Sequence, residues 1–228
     1  YTNLTKIYLL LIVSSTRKKI IESSILLFNS KGLANVRLQD IAEYNKISPG
    51  NLTYHFKTKK DLMDYIIYVM IRKLVEIEAK QKKLLNTNFD LYEIFKNHLY
   101  FIISYRFFFR DILEILNLVP NAKSVFIDII KGNEKFIKAY VKIALEQGYF
   151  KKESFKEQYS TFAKNSWAIV NSSLTKWEVF DDSKSKYSNT IIEIMSFHYP
   201  YLTKKGLDRY KNKKESISKQ ITKDFKDL

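Results

Sequence analysis

The sequence predicts an all-α protein, with a three-helix helix-turn-helix DNA-binding domain followed by a larger helical-bundle domain. Three observations carry that prediction. From Thr16 onward apolar residues recur at helical spacing almost without interruption. Only 5 Gly and 3 Pro occur in 228 residues, too few for the closely spaced turns of a β-sandwich or barrel. Finally, Gly32 reads as a helix stop, Ser48-Pro49 as a capped helix start and Thr58 as another start, all within one short stretch.

Residues 1–15 read as an N-terminal arm. Its apolar run, Ile7 to Val13, is far shorter than the roughly 18 residues needed to cross a bilayer. The charges Arg17 to Lys19 follow that run, whereas a secretory signal carries its charge in front. The first helix presents Ile20, Ile21, Ser24, Ile25, Leu27 and Phe28 on one face and ends at Gly32. A short second helix carries Leu38, Ile41 and Ala42 and ends near Asn45. The third runs from Pro49 to about Phe56, and Thr58 opens a long fourth helix with Leu62, Ile66 and Val69. These elements make residues 16–62 one small domain.

Residues 63–202 are expected to form five or six further helices, with breaks near 86–88, Pro120-Asn121, Gly148, Asp181-Asp182 and Pro200. The last two, at about 157–180 and 184–199, are strongly apolar. Residues 203–228 read as an exposed basic helix or a loose tail.

The net charge is +15, from 39 Lys and Arg against 24 Asp and Glu, and it is uneven along the chain. Residues 16–62 hold nine bases and four acids, and residues 203–228 the same numbers. An excess of positive charge at both ends suits a polyanionic partner. There are no cysteines, which excludes disulfides, thiol nucleophiles and cysteine-based zinc sites and leaves a cytoplasmic location as the expectation. Metal ligand spacings, Gly-rich phosphate loops and a Gly-x-Ser-x-Gly elbow are all missing from the sequence, so neither enzyme activity nor a cofactor or metal is expected.

In a helix-turn-helix the second helix of the pair lays its N-terminal half in the major groove while its back packs on the other helices. Leu52 and Phe56, four residues apart, supply that back. Asn51, Thr53, Tyr54 and His55 are then left on or near the outer face, where amide, hydroxyl and ring groups meet base edges and phosphates. Ser48 caps the helix start, and Gly50 lets a phosphate approach the free N–H groups there. Lys57, Lys59 and Lys60 follow as backbone clamps.

The stretches 32–42 (GLANVRLQDIA), 47–56 (ISPGNLTYHF) and 59–62 (KKDL) resemble, with spacing intact, the DNA-binding domain of TetR-family transcriptional regulators. The resemblance implies a homodimer that binds a pseudo-palindromic double-stranded operator. Each subunit would carry this small domain and a larger helical domain for a small-molecule effector, with no membrane association, and the two last long helices would pair with those of a second subunit. It also implies DNA contacts from Gln39, His55 and Lys59. Two positions depart from the pattern. Arg37 stands where a small hydroxyl residue is usual, so a cap is lost and a cation able to reach a phosphate is gained, and Thr53 stands where an aromatic is usual. A weaker resemblance covers 105–111 (YRFFFRD).

Residues 63–202 are unusually aromatic. Rings at helical spacing are most often core, but the family's larger domain encloses a pocket, and aromatic walls with a few polar groups suit a small apolar or aromatic ligand, whose binding would release a repressor from its operator. Candidate lining residues are His98, Phe101, Tyr105, Phe126, Tyr140 and Trp167. Of these, His98 shares a face with Ile94 and Phe101 and is a candidate polar anchor. The alternative is a regulator without an effector, whose aromatic domain serves protein interaction.

Overall fold

A computed structural model describes residues 15–87, 90–179 and 186–211, together with 219, 220 and 223. The apolar run at 7–13, the expected break at 181–182 and most of the basic tail lie outside the described residues. No helix among those described is long and apolar enough to cross a membrane.

The four N-terminal helices fall where their start and stop signals place them. Helix α1 spans Ser15–Lys31 and ends at Gly32, whose φ of +84° is the left-handed geometry that glycine adopts without a Cβ penalty. Helix α2 is Leu38–Tyr44 and α3 is Pro49–His55. The turn between them is pinned by Asn45, whose side-chain amide donates to Ser23 Oγ (2.6 Å) and to Ile41 O (2.8 Å). Helix α4 spans Lys59–Thr87. It opens on a reciprocal cap in which Asp61 N–H donates to Thr58 Oγ1 (3.1 Å) and Thr58 N–H to Asp61 Oδ2 (3.0 Å). Ile20, Phe28, Val36, Ile41, Leu52, Leu62 and Ile66 are all at or below 1% exposure and form the core of this head.

The body contains α5 (Leu91–Ser104), α6 (Arg106–Arg110), α7 (Ile112–Leu118), α8 (Ala122–Glu146), α9 (Gln158–Val179) and α10 (Lys186–Ser196). A 3-10 turn at Tyr199–Tyr201 and α11 (Lys204–Lys211) follow. Helices α8 and α9 pack along each other, α10 lies against α5 and α9, and α4 runs from the head into the body against α5 and α8. Among the described residues there is no strand, only one isolated antiparallel bridge between Phe150 and Leu202.

Two features differ from the sequence expectation. The stretch 105–111 is broken twice, at Tyr105 and at Asp111, because the polar groups freed at the first break are met from the head. Asn29 of α1 donates to Ser104 O (2.8 Å) and accepts from Phe107 N–H (3.1 Å). Moreover, residues 204–211 form a docked helix that buries Gly206 and Tyr210 while Lys204, Lys205, Asp208 and Lys211 stay exposed. Helix α11 docks so closely on the end of α8 that a Cβ at Gly206 would collide with the Tyr149 carbonyl. Lys205 Nζ donates to Gln147 O (2.9 Å), Arg209 to Tyr149 Oη (2.9 Å), and Tyr210 is buried. Lys205 thus meets an unpaired carbonyl at the C-terminus of α8, and Arg209 holds the Tyr149 hydroxyl just beyond it.

Candidate functional site

Helix α3 is short and holds its position by Leu52, 1% exposed, and by Phe56 just after it, 2% exposed. Its first turn is capped by Ser48 Oγ, which accepts from Asn51 N–H at 3.1 Å. That hydroxyl is therefore part of the helix start. Gly50 faces open space, since a Cβ there would meet only Ser48 Oγ at 4.0 Å. On the outer face Asn51 is exposed and Tyr54 is 85% exposed, while His55 beside it is half-buried with its ring edge-on to Tyr54 at 5.3 Å. Leaving so much of an aromatic ring in water forgoes burial that stabilises most large side chains by roughly 1.5–3 kcal/mol. Nothing in the head's packing requires it.

Other sequence candidates divide by what they already touch. Thr53 is exposed, but its hydroxyl donates back along the helix to Pro49 O (3.0 Å) and Gly50 O (3.1 Å). Gln39 and Lys57 are exposed. Arg37 is exposed at the start of α2, where Asp40 Oδ2 accepts its backbone N–H at 2.6 Å. That bond lowers the Asp40 pKa and keeps half of a reciprocal cap, so the missing hydroxyl at Arg37 leaves the helix start partly satisfied. The Lys59 ammonium donates to Leu33 O (2.5 Å) and lies 5.8 Å from the Phe28 ring, with burial pushing its pKa down. Lys60 bonds Asp64 at 2.7 Å. Of the three lysines read as phosphate clamps, Lys57 is thus the one with no partner among the described residues.

In the body, a cavity of about 50 Å³ sits among α4, α5, α6, α8, α9 and α10. His98, Phe101 and Trp167 line it. Tyr105, Phe126 and Tyr140 pack behind that wall: Tyr105 on Phe101 (5.2 Å), Phe126 on Trp167 (6.1 Å), and Tyr140, wholly buried, on Phe95 (6.0 Å) and His198 (5.8 Å). His98 Nδ1 lies 2.5 Å from Gln81 Nε2, so the polar anchor is itself anchored by α4. Sequence reasoning missed Glu78, Asn133 and Ser166 on the wall. Gly132, also on the wall, was the available signal, because a glycine inside a helix is costly and often marks a close approach. Among the described residues no cluster of three or more His, Cys, Asp or Glu is placed to hold a metal ion.

Head and body meet in a polar clamp on the C-terminal end of α1. Arg110 donates to Phe28 O (2.8 Å) and Asn29 O (3.2 Å) and pairs with Asp111 (2.7 Å). Asp111 Oδ2 in turn accepts Leu33 N–H at 2.8 Å. Beneath it Phe28 packs on Phe107 at 5.4 Å. Phe109, a cavity wall, precedes Arg110 in the chain, so cavity and clamp share one short helix.

Comparison with known proteins agrees with this geometry. The family profile described as "Bacterial regulatory proteins, tetR family" matches residues 20–66, and the one described as "Bacterial transcriptional repressor" matches residues 70–210. A probable HTH-type transcriptional regulator, YttP of Bacillus subtilis, is 28% identical over 149 residues, covering 61% of this chain and 67% of that protein. IcaR of Staphylococcus aureus, a negative transcriptional regulator of the biofilm operon icaADBC, is 25% identical over 182 residues, covering 79% and 97%. Among solved structures, a TetR-family regulator from Marinobacter aquaeolei superposes with a TM-score of 0.72 at 24% identity, covering 89% and 98%.

Proposed function

Because the chain belongs to the TetR family of bacterial transcriptional regulators, we propose that it is a homodimeric repressor whose paired α3 helices hold a pseudo-palindromic operator, released when a small ligand enters the body's cavity. The observation that carries the DNA half is Tyr54, left 85% exposed on a helix whose other face is fully packed. Asn51, Tyr54 and His55 would meet bases and nearby phosphates, with Gln39, Arg37 and Lys57 on the flanking backbone. Lys59, held at Leu33 O, would contribute positive field near the DNA rather than a freely reaching contact. The IcaR likeness supports repression as the output.

Release would travel by two routes. One is α4, which spans head and body. The other is the clamp, since a ligand that displaces Phe109 moves Arg110 and with it the end of α1. Coupling of this kind is typically about 1–3 kcal/mol and is reciprocal.

Selection of bound duplexes from a random DNA pool at about 0.15 M salt tests the reading. The expected product is a two-fold symmetric motif with half-sites about one helical turn apart. Recovery of DNA without sequence preference would reject it. A second reading, a regulator with no effector, is favoured by the small cavity, since drug-sized ligands need roughly 300 Å³ or more. Under that reading no small molecule alters operator affinity.

A further inference from the structure

The turn between α2 and α3 contains a backbone outlier. Lys46 holds φ at +55°, in the left-handed region that glycine enters freely and that a residue with a Cβ enters at a cost in stability. Asparagine tolerates that region well, and Asn45 stands next in the chain. Yet Asn45 keeps right-handed geometry and spends its amide on Ser23 Oγ and Ile41 O. The strain therefore falls on a lysine. We infer that Lys46 is a phosphate contact, clamping the DNA backbone beside the start of α3. This rests on reading the head as a DNA-binding domain and adds a residue to that surface.

The fold offers the Lys46 ammonium no partner of its own. Cations commonly settle at a helix C-terminus, where carbonyls lack donors. At the end of α2 three of those carbonyls are already met by the backbone: Ile41 O by Asn45 N–H (3.1 Å), Ala42 O by Ile47 N–H (3.0 Å) and Glu43 O by the N–H of Lys46 itself (3.0 Å). Lys46 is exposed, and among the described residues its side chain makes no hydrogen bond or ion pair, although the exposed Glu43 stands one turn back. A strained residue whose side chain gives nothing back to the fold is characteristic of a binding surface.

Position points to the DNA backbone. Exposure alternates through the turn, with Lys46 and Ser48 exposed and Ile47 between them packed against the core. Lys46 thus shares the outward side with Ser48, Gly50 and Asn51, at the helix start that meets the major groove in this motif. It lies two residues outside the α3 cap, toward the rim of the groove, where sugar and phosphate come before base edges. A point charge on a flexible four-carbon stem suits a phosphate and carries no base pattern.

Lys46→Gly and Lys46→Asn, each in the full chain, are to be compared with wild type by thermal unfolding and by binding to the selected operator and to an unrelated duplex across a salt series. Both variants are expected to keep or raise the thermal midpoint, because both accept the left-handed backbone at lower cost. Both are also expected to bind each duplex more weakly. Loss of one phosphate contact lowers the slope of log affinity against log salt by about 0.9 per subunit, which at about 0.15 M salt is about a fivefold loss per subunit. Lys46→Arg should keep slope and affinity. An unchanged slope, or a lowered thermal midpoint in Lys46→Gly, overturns the contact. So does a loss confined to the operator, since a phosphate contact carries no sequence information. The slope on the unrelated duplex stands even where selection yields no operator, so sequence specificity can fail while the contact holds. Wild type without salt-dependent binding to either duplex rejects both.

Discussion

The head leaves Tyr54 85% exposed on a seven-residue helix, whereas the body buries Phe107, Phe108, Tyr140 and Phe162 to 1% or less. Both regions are helical and both use aromatic residues, but they place them under opposite constraints. In the head Leu52 and Phe56 already secure α3, so the outer ring is free of any packing duty and is available to a partner. In the body rings contact rings around His198 and Trp167, and the small space left between them is defined by how well they fill the rest. The proposed function therefore rests on exposure in the head and on incomplete filling in the body.

The largest expected effect breaks the seam between these regions. Phe107→Ala removes a fully buried ring packed at a tilt on Phe28, and it should cost about 3–5 kcal/mol in urea unfolding. If head and body were only loosely joined, the loss would be confined to one phase of the transition.

Next comes an acid sensitivity that arises in the body. His198 is wholly buried, its Nδ1–H donates to Ile194 O at 2.6 Å, and its Nε2 has no hydrogen-bond partner among the described residues. Burial pushes its pKa down from 6.5 to about 4, partly opposed by the bond to Ile194. The unfolded chain takes up this proton below about pH 6.5 and the folded chain only near 4, so stability is full above 6.5 and falls as pH drops through that window. The loss amounts to about 3 kcal/mol. Unfolding of wild type and His198→Phe at pH 7, 5.5 and 4 should show this component vanish in the variant.

A smaller effect sharpens the reading of the head. Tyr54→Ala should lower operator affinity by about 1–3 kcal/mol while thermal stability stays within about 0.5 kcal/mol, as for other surface changes. A stability loss without an affinity loss would return Tyr54 to a structural role. The smallest separates two lysines. Lys57→Ala should reduce the salt dependence of DNA binding by about one phosphate contact, whereas Lys59→Met should act mainly on stability, because its ammonium holds Leu33 O. Equal changes in salt slope for the two would contradict that division.

Much of the head was legible in advance because its signals are local. Ser48-Pro49 and Thr58 cap helices through atoms within three residues of each other, and Gly32 stops α1 by its own backbone freedom. The outer face of α3 followed from which residues Leu52 and Phe56 leave over. The body was legible only as helical and aromatic. His98, Phe101 and Trp167 reach the cavity while Tyr105, Phe126 and Tyr140 stand behind it, a distinction that depends on the rotation of packed helices rather than on residue type. Glu78 escaped notice because a carboxylate on a long amphipathic helix reads as solvated surface, and it stays exposed even where it borders the cavity.

Local chemistry alone thus determined an all-α chain, a capped helix-turn-helix and its polar outer face, since helix period, capping and charge act over a few residues. Tertiary structure decided what depends on distant partners. It broke the helix at Tyr105 by bringing Asn29 to it, turned Arg110 and Asp111 into the clamp on α1, drew Lys59 onto Leu33, and folded 204–211 onto the end of α8. Each of these contacts joins residues at least 26 positions apart, and no local pattern encodes which distant group will satisfy an open carbonyl or N–H.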